Sequence, residues 1–442
     1  MGKSKVLFKV AALCTAVMVV VAGCSTNVAS NDSATSTTGA STNTGASAAP
    51  ASGEKVTLKL LLNKTESVES FKVLEKEYET EFPNVDLQID LTMGSEFGAA
   101  LKTRFASGQG PDIFSSAGYK DFELWSERVE DLSAEPWVSD VVDGASDGAS
   151  IDGKLYGFPL SIDGYGFMYN KDLFAKAGIT ELPTTFTALK EVVSKLKAAD
   201  IAPFITPFGE WYTPGVFEAN NPVAKQVDPD QFFADLSSGA ITIPKAPLFD
   251  DWLNLFELEF KNAHKEPLSI DYMTMVTDFA NGEGAITNGC GCSQPLVLAA
   301  NPDINVGVMP MPINDDAVLN DKIFVGVSTY LLVNKDSKVK DAAKSFLTWL
   351  SSSKEGQRLI TEEFAYIPAF KSMPSNAEKL GPLGTDIKKY IDEGKTLGLE
   401  YNKYPEGLST EWGSTLQKWV AGEINRTQVL EEFQASWVKL DK

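Results

Sequence analysis

The sequence has few of the residues that build metal centres and hydrolytic triads. Its 442 residues include one histidine, His264, and four cysteines. A His-rich zinc site is therefore excluded, and a Ser-His-Asp triad would depend on that single histidine. Cys14 lies within a predicted N-terminal signal peptide and Cys24 directly follows it, so Cys290 and Cys292 are left for a disulfide. Two cysteines are too few for a disulfide framework in a chain of this size.

Basic residues and long apolar runs are scarce as well. The chain has 39 Lys and Arg against 60 Asp and Glu, a formal net charge of −21. This acidic excess keeps a protein soluble and argues against nucleic acid or an anionic membrane surface as a partner. Beyond residue 23, no apolar run approaches the length of a transmembrane helix.

The first 54 residues predict where the protein is located. Three lysines precede an apolar run over residues 10–22, which is too short to span a bilayer, and together they indicate a signal peptide over 1–23. Cys24 follows small residues and resembles the lipid-modified cysteine of a bacterial lipobox; an ordinary signal peptide with an incidental cysteine is the alternative. Residues 24–54 are poor in apolar and charged side chains, so we expect a disordered tether behind the acylated cysteine.

From residue 55 onward, strands and helices alternate in the sequence. Residues 56–62 form an apolar run typical of a buried strand, and apolar residues then recur at helical spacing until Pro83. Residues 85–91 alternate between apolar and polar, as in a strand, and a further helix and strand follow up to Phe114. This order predicts an α/β fold with a largely parallel sheet. Further along, residues 323–333 have the pattern of another strand, and residues 388–442 have a mostly helical pattern.

Several short motifs follow one another along the chain. They are DGKLYGFP at 152–159, YNKDLF at 169–174, FANGEGAITNG at 279–289, GVMPMP at 307–312, and VGVS at 325–328 with NKDS at 334–337. In this order they resemble family 1 of the extracellular solute-binding proteins, the sugar-capturing subunits of bacterial ABC importers. The resemblance covers most of the chain from residue 55.

The resemblance implies a periplasmic-binding-protein-like fold of type II, with two hinge-linked α/β lobes and a ligand cleft between them. The first lobe would comprise 55–161 and 329–375, and the second 162–328 and 376–442 with the C-terminal helices. The chain would cross between lobes at Pro159–Asp163 and at Val327–Tyr330. Ligands of open α/β sheets bind beyond the carboxyl ends of strands, which agrees with this arrangement.

Aromatic side chains are candidates for the ligand site, because a sugar presents apolar ring faces together with hydroxyl groups. Trp211 and Tyr212 follow a stretch broken by Pro and Gly, beside Glu210, where the resemblance implies a ligand-stacking aromatic in the second lobe. Trp412 resembles the stacking aromatic of the C-terminal helices. The alternative for each aromatic residue is a place in the core.

Polar candidates lie at predicted strand ends and at the first crossing. They are Asn63 and Lys64 after the first strand, Ser116 and Tyr119 in the loop after Phe114, Asp163 and Tyr165 at the crossing, and Asn288 and Gly289 at the end of a later strand. Lys64 could instead be a solvated surface charge, and Asp163 a hinge or surface carboxylate.

The Cys290-Gly291-Cys292 segment departs from the family pattern. Many members have an apolar residue and a sugar-stacking tryptophan at this place. With no histidine and no second cysteine pair nearby, we expect a local disulfide or two small buried thiols, and neither a metal nor a cofactor.

These features lead to one functional hypothesis. We expect a monomeric, lipid-anchored substrate-binding protein on the extracellular face of the cell membrane. It would capture a carbohydrate of the oligosaccharide class and deliver it to ABC permease subunits. We do not expect it to be an enzyme. Two alternatives stay open: the same fold binding a non-sugar solute such as a polyol phosphate, peptide or polyamine, and a surface glycosidase.

Overall fold

The computed structural model describes residues 55–92 and 94–441. The predicted signal peptide, Cys24 and the tether therefore lie outside the described residues. Within the described part, no helix has both the length and the apolar character needed to cross a bilayer.

Two sheets are present in the described part of the chain. Their strands are β1 (Val56–Leu62), β2 (Val85–Leu91), β3 (Ile113–Ser116), β4 (Ser150–Ile151), β5 (Lys154–Leu155), β6 (Gly157–Asn170), β7 (Phe204–Ile205), β8 (Ile286–Cys290), β9 (Val306–Met309), β10 (Ile323–Val333) and β11 (Thr396–Leu397). The larger sheet has nine strands with the main order β2-β1-β3-β10-β6-β8-β7, while β4 and β5 form a separate hairpin.

Helices pack around this sheet. They are α1 (Val68–Glu81), α2 (Gly94–Ala106), α3 (Tyr119–Glu123), α4 (Lys171–Lys176), α5 (Phe186–Ala198), α6 (Asn220–Ala224), α7 (Pro229–Ser238), α8 (Pro247–Lys261), α9 (Tyr272–Ala280), α10 (Gln294–Ala300), α11 (Ala317–Asn320), α12 (Lys340–Ser352), α13 (Lys354–Arg358), α14 (Gly381–Asp392), α15 (Leu408–Val420) and α16 (Arg426–Leu440).

The first elements follow directly from their sequence patterns. In α1, Phe71, Leu74 and Tyr78 are buried, as their helical spacing predicts, and the helix ends at Glu81 because Pro83 cannot continue it. The side chain of Thr185 accepts a hydrogen bond from the backbone N–H of Ala188 and so caps α5. The predicted strand over 323–333 is β10.

The prediction of a largely parallel sheet is confirmed for the first three strands, from which it was drawn, but it is wrong for the sheet as a whole. β1 pairs in parallel with β2 and β3, as expected, but β10 runs antiparallel to both β3 and β6, and β6 runs antiparallel to β8 and β9. The reason lies in the two long strands. The chain leaves along the 14-residue β6 and returns along the 11-residue β10, so their directions are opposite.

The hydrophobic core is divided into clusters on either side of these long strands. One cluster contains buried residues from 58–160 and 327–373, and two others draw on residues between 165 and 437. We call the parts around them the first lobe and the second lobe. The predicted crossings coincide with the stretch where β6 pairs with β10, and the register there shifts between Val327 and Tyr330. The exact lobe boundaries stay a prediction.

Candidate functional site

A cavity of ≈ 830 Å³, here called the cleft, lies at the carboxyl ends of β1 and β3 and reaches the segment before α15. Uncharged polar side chains in its lining are Asn63, Ser115, Ser116, Ser328, Thr329, Asn402, Ser409 and Thr410. Aromatic rings come from Phe97, Trp211, Tyr401 and Tyr404, and charged groups from Lys64, Lys120, Asp121, Glu123 and Glu406. Parallel strands end at this edge, which is why loops with polar side chains converge here.

The loop after β3 is held in shape by hydrogen bonds within itself. The hydroxyl of Ser116 donates to Asp121 Oδ2 at 2.6 Å, and the backbone N–H of Ala117 donates to the same oxygen at 2.9 Å. Gly118 has φ +82°, a conformation that favours glycine, and it precedes Tyr119 with φ +49°. This turn keeps Ser116 in the lining of the cleft but directs Tyr119 into a neighbouring groove.

Lys64 is buried rather than solvated. Its side chain is 6 % exposed, and its ammonium lies 3.2 Å from Glu66 Oε1 and 5.5 Å from the centre of the Tyr366 ring. Burial alone lowers the pKa of Lys64, but the electrostatic influence of Tyr366, Glu66 and Asp163 outweighs it, so the pKa is raised above the ordinary value. Lys64 therefore stays charged at neutral pH and is paired with an acid of its own lobe.

Asp163 lies in a small compartment that adjoins the cleft at Lys64. The compartment has ≈ 50 Å³ of space, and its lining includes Lys64, Asp163, Cys292 and Tyr366. Burial raises the pKa of Asp163, while the charge of Lys64 and the backbone N–H of Gly164, 2.7 Å away, act in the opposite direction.

Cys290 and Cys292 form a disulfide beside Asp163. This outcome is one of the two alternatives left open by the sequence. The two sulfurs and a carboxylate oxygen of Asp163 lie within 4.8 Å of one another, the type of grouping that could hold a soft metal ion. Because the disulfide engages both sulfurs, they are unavailable as thiolate ligands in this state.

Trp211 lines the cleft, and the structure shows what holds it there. The backbone of Trp211 lies against Gly413 in α15, where any side chain at position 413 would overlap the Trp211 carbonyl. The neighbouring Glu210 accepts hydrogen bonds from the Tyr212 hydroxyl at 3.0 Å and from the backbone N–H of Tyr272 at 2.8 Å. Glu210 and Tyr212 thus fix the loop, and neither is among the residues that line the cleft.

The prediction that Trp412 lines the cleft is wrong. Its side chain is fully buried, its ring stacks on Phe433 with centroids 4.5 Å apart, and its indole N–H donates to the Phe433 carbonyl at 3.2 Å. On α15 this position faces α16, so helix packing decides its place. The alternative of a core tryptophan is the correct one.

Three further predicted residues lie behind the wall of the cleft. Tyr165 is buried and stacks on Tyr401, which does line the cleft, with ring centroids 6.1 Å apart. Gly289 packs closely against Met168. The Asn288 amide donates to Glu259 Oε2 at 3.1 Å in the interior of the second lobe. Tyr165 is buried on β6, and β8 places all of Ile286–Cys290 in the core, so these predictions of cleft residues are also wrong.

Asn288 donates a hydrogen bond to one member of a buried pair of acids. Glu218 and Glu259 are both buried; the Trp252 indole N–H donates to Glu218 at 3.2 Å. Burial raises the pKa of both carboxyls, and the charge of Glu218 raises that of Glu259 further. Two carboxyl groups in close contact cannot both ionise in the interior, because their negative charges would repel each other. The pair therefore retains a proton at neutral pH. Neither carboxyl lines the cleft, so the pair does not have the position of a glycosidase acid and base.

Sequence reasoning missed the contribution of residues 401–410 to the cleft. The helical turn Glu400–Lys403 and the start of α15 bring Tyr401, Asn402, Ser409 and Thr410 into the lining. A signal was available, because Pro405 and Gly407 interrupt a region predicted as mostly helical and such breaks produce loops. Ser328 was inside the predicted second crossing but was not singled out.

Comparisons with known proteins agree with this architecture. Residues 63–357 match the family model described as bacterial extracellular solute-binding protein. The chain is 25% identical over 340 residues to the melibiose/raffinose/stachyose-binding protein MelE of Bacillus subtilis, which covers 70% of this chain and 73% of that protein. It is 22% identical over 313 residues to the multiple sugar-binding protein of Streptococcus mutans, covering 69% and 73%.

Solved structures share the fold. The solute-binding protein RafE in complex with raffinose superposes with a TM-score of 0.75 at 17% identity, covering 88% of this chain and 100% of that one. This likeness shows a two-lobe binding-protein fold with the cleft between the lobes. Since the family model spans well over half of the sequence, the chain belongs to the bacterial extracellular solute-binding proteins.

Proposed function

We propose that this protein captures a neutral oligosaccharide in the cleft and delivers it to the permease of an ABC importer, without chemical conversion of the sugar. The observation that carries this proposal is the composition of the lining: Trp211 and Tyr401 offer ring surfaces, and hydroxyl and amide groups surround them. Aromatic faces and planar or hydroxyl hydrogen-bonding groups match the two kinds of surface on a sugar.

The charges of the cleft favour a neutral ligand over a phosphate. Both lysines in its lining are paired with nearby acids, Lys64 with Glu66 at 3.2 Å and Lys120 with Glu123 at 2.8 Å. A polyol phosphate would require cationic groups directed at the anion. The names of relatives point the same way, since the matched proteins of Streptococcus mutans and Bacillus subtilis are named for binding sugars.

The proposal includes the location of the protein. Cys24 would carry the lipid and the residues up to 54 would form the tether, so that the monomeric globule works on the outer face of the membrane. One acyl chain binds a membrane only marginally, and we therefore expect more than one on Cys24. Replacing Cys24 with Ala should release the protein from the cells while leaving its affinity for sugar unchanged.

A thermal-shift screen tests the ligand class. Mono- to pentasaccharides, polyol phosphates, short peptides and polyamines are each added to the purified protein, because a ligand at 100 times its Kd adds about 2.7 kcal/mol to the free energy of unfolding. We expect neutral oligosaccharides to raise the melting temperature and the other classes to leave it unchanged. Chromatography of the recovered sugar is the control, and a hydrolysed product would support the glycosidase alternative instead.

A further inference from the structure

The cleft adjoins two other cavities of very different size. At one end it shares Lys64 with the compartment beside Asp163, whose ≈ 50 Å³ holds a few water molecules but no sugar ring. At the other end it shares Lys120, Glu123 and Pro405 with a second cavity of ≈ 530 Å³, here called the groove. A long ligand could therefore extend in one direction and not in the other.

The groove is formed by both lobes. Tyr119 and Asp147 come from the first lobe, and Phe233, Ser237 and Lys403 come from the second. The ammonium of Lys403 lies 5.4 Å from the centre of the Tyr119 ring and is held by Asp230 at 2.6 Å. This cation–π contact between the lobes lies directly beside Pro405, where groove and cleft meet.

The surface of the groove has the same chemical character as the cleft. Tyr119 and Phe233 are half-buried rings, and Phe233 stacks on Trp437 with centroids 5.6 Å apart, which fixes its orientation. Asp147 and Asp441 add carboxylates, which accept hydrogen bonds from sugar hydroxyls, whereas Lys120 and Lys403 are already paired with acids. An uncharged glycan fits such a surface, and an anionic one would be repelled.

We propose that the cleft binds the end of a linear neutral glycan and that the groove binds the sugar units that follow it. The inference rests on the proposed function and extends it, since it sets the direction of the chain and makes affinity increase with chain length. The small compartment at Asp163 would select a chain end, and the groove at Pro405 would let the remainder leave between the lobes.

Two neighbouring serines of α7 provide a matched test. Ser237 lines the groove and Ser238 does not, yet both are exposed and both donate to a backbone carbonyl of their own helix. Calorimetric titrations would use sucrose, raffinose and stachyose, and separately the malto- and chito-oligosaccharides of two to five units. Wild type, Ser237→Trp and Ser238→Trp are compared in the same buffers.

For the series that binds, we expect wild-type affinity to rise with chain length. Ser237→Trp should abolish that rise, with at least tenfold weaker binding of the longest sugar and unchanged binding of the shortest, while Ser238→Trp behaves as wild type. Equal effects of Ser237→Trp on short and long sugars, or none on the longest, would overturn the inference. Failure of every sugar to bind wild type would instead contradict the proposed function.

A tagged ligand provides a second test. The longest binding sugar is labelled with a bulky fluorophore either at its reducing end or at its other end. We expect one of the two labelled sugars to bind within threefold of the unlabelled sugar, because its tag leaves through the groove, and the other to lose binding. Loss of binding with both labels would show that the cleft encloses the entire ligand and would overturn the inference.

Discussion

The ammonium of Lys102, on α2 of the first lobe, lies 3.0 Å from a carboxylate oxygen of Glu406, which belongs to the second lobe. Glu406 lines the cleft, so this ion pair joins the lobes at its margin. Together with Lys403 and Tyr119, the pair holds the lobes in contact in this structure. Closure around a ligand is the motion expected of a hinge-linked protein, because only the closed form lets both lobes contact the ligand.

The first prediction concerns this ion pair. Both side chains are more than half exposed, so the pair contributes at most about 1 kcal/mol to closure. Glu406 itself lines the cleft, so we use Lys102→Gln and expect sugar affinity to fall by less than about fivefold at low ionic strength. Titration calorimetry in 1 M NaCl should show no difference from wild type, because exposed charges are then screened. A loss that persists in high salt would contradict an electrostatic role.

The second prediction separates two tryptophans. Trp211→Ala should weaken sugar binding by about 1–3 kcal/mol with little change in melting temperature, because Trp211 lines the cleft. Trp412→Ala should instead lower the free energy of unfolding by about 3–5 kcal/mol, because it empties a core position stacked on Phe433. Binding calorimetry and urea unfolding distinguish these effects. Unchanged affinity of a folded Trp211→Ala variant would remove Trp211 from the site.

These two tryptophans also show which features of the protein can be predicted from its sequence and which cannot. Strands and helices with clear periodicity, such as β1, α1 and β10, were predicted correctly, because the pattern alone decides which face is buried. Trp211 could be placed because Pro207 and Gly209 indicate a loop. Trp412 could not, because a tryptophan on an amphipathic helix is equally compatible with a cleft and with a core, and only the packing of α16 decides between them.

Tertiary contacts account for the other errors. The antiparallel pairing of β6 with β10 joins residues more than 150 positions apart, and strand periodicity alone does not indicate which distant strands pair or in which direction. Asn288 has the chemistry of a ligand-binding amide, yet the buried Glu259 accepts its hydrogen bond in the interior. Lys64 was expected as a possible surface charge, and its burial depends on Glu66 and Tyr366 closing over it.

The third prediction uses the buried acid pair. The folded-state pKa of Glu259 is raised by burial and by Glu218, so as pH rises through 4.5 the unfolded chain releases a proton that the folded chain retains. Stability contributed by this site therefore falls as pH rises. Glu259→Gln should raise the free energy of unfolding by about 1–3 kcal/mol relative to wild type at pH 8 and should leave it almost unchanged at pH 4. Urea unfolding at both pH values measures this difference, and an equal gain at both would contradict the assignment.

Lys225 provides a control, because its contribution to stability depends on pH in the opposite direction. Burial lowers the pKa of Lys225 to about 7, and the charge of Lys322 acts in the same direction. Below pH 10 the unfolded lysine gains a proton that the folded one does not, so its contribution to stability falls as pH decreases from 10 to 7. Lys225→Met should thus stabilise the protein more at pH 7 than at pH 10. The same gain at both pH values would contradict the lowered pKa of this buried amine.

The fourth prediction concerns the cysteines. Because Cys290 and Cys292 are joined to each other, protein purified with a chelator and without reductant should contain no stoichiometric zinc by mass spectrometry. Cys290→Ser/Cys292→Ser should bind sugar within about fivefold of wild type, since neither sulfur lines the cleft. Stoichiometric zinc in the oxidised wild-type protein would contradict this account. A reduced sample shows whether opening the disulfide allows Asp163 and the two sulfurs to bind the metal.

The central claim is that a sugar is held between two lobes that close around it, and small-angle X-ray scattering tests it most directly. Curves are recorded for the purified protein alone and saturated with its tightest-binding oligosaccharide, with Trp211→Ala as a control that should need a higher sugar concentration. We predict that the radius of gyration decreases with sugar, and that the liganded curve matches the present arrangement, with Lys102 and Glu406 in contact. Identical curves with and without a saturating sugar would contradict the account.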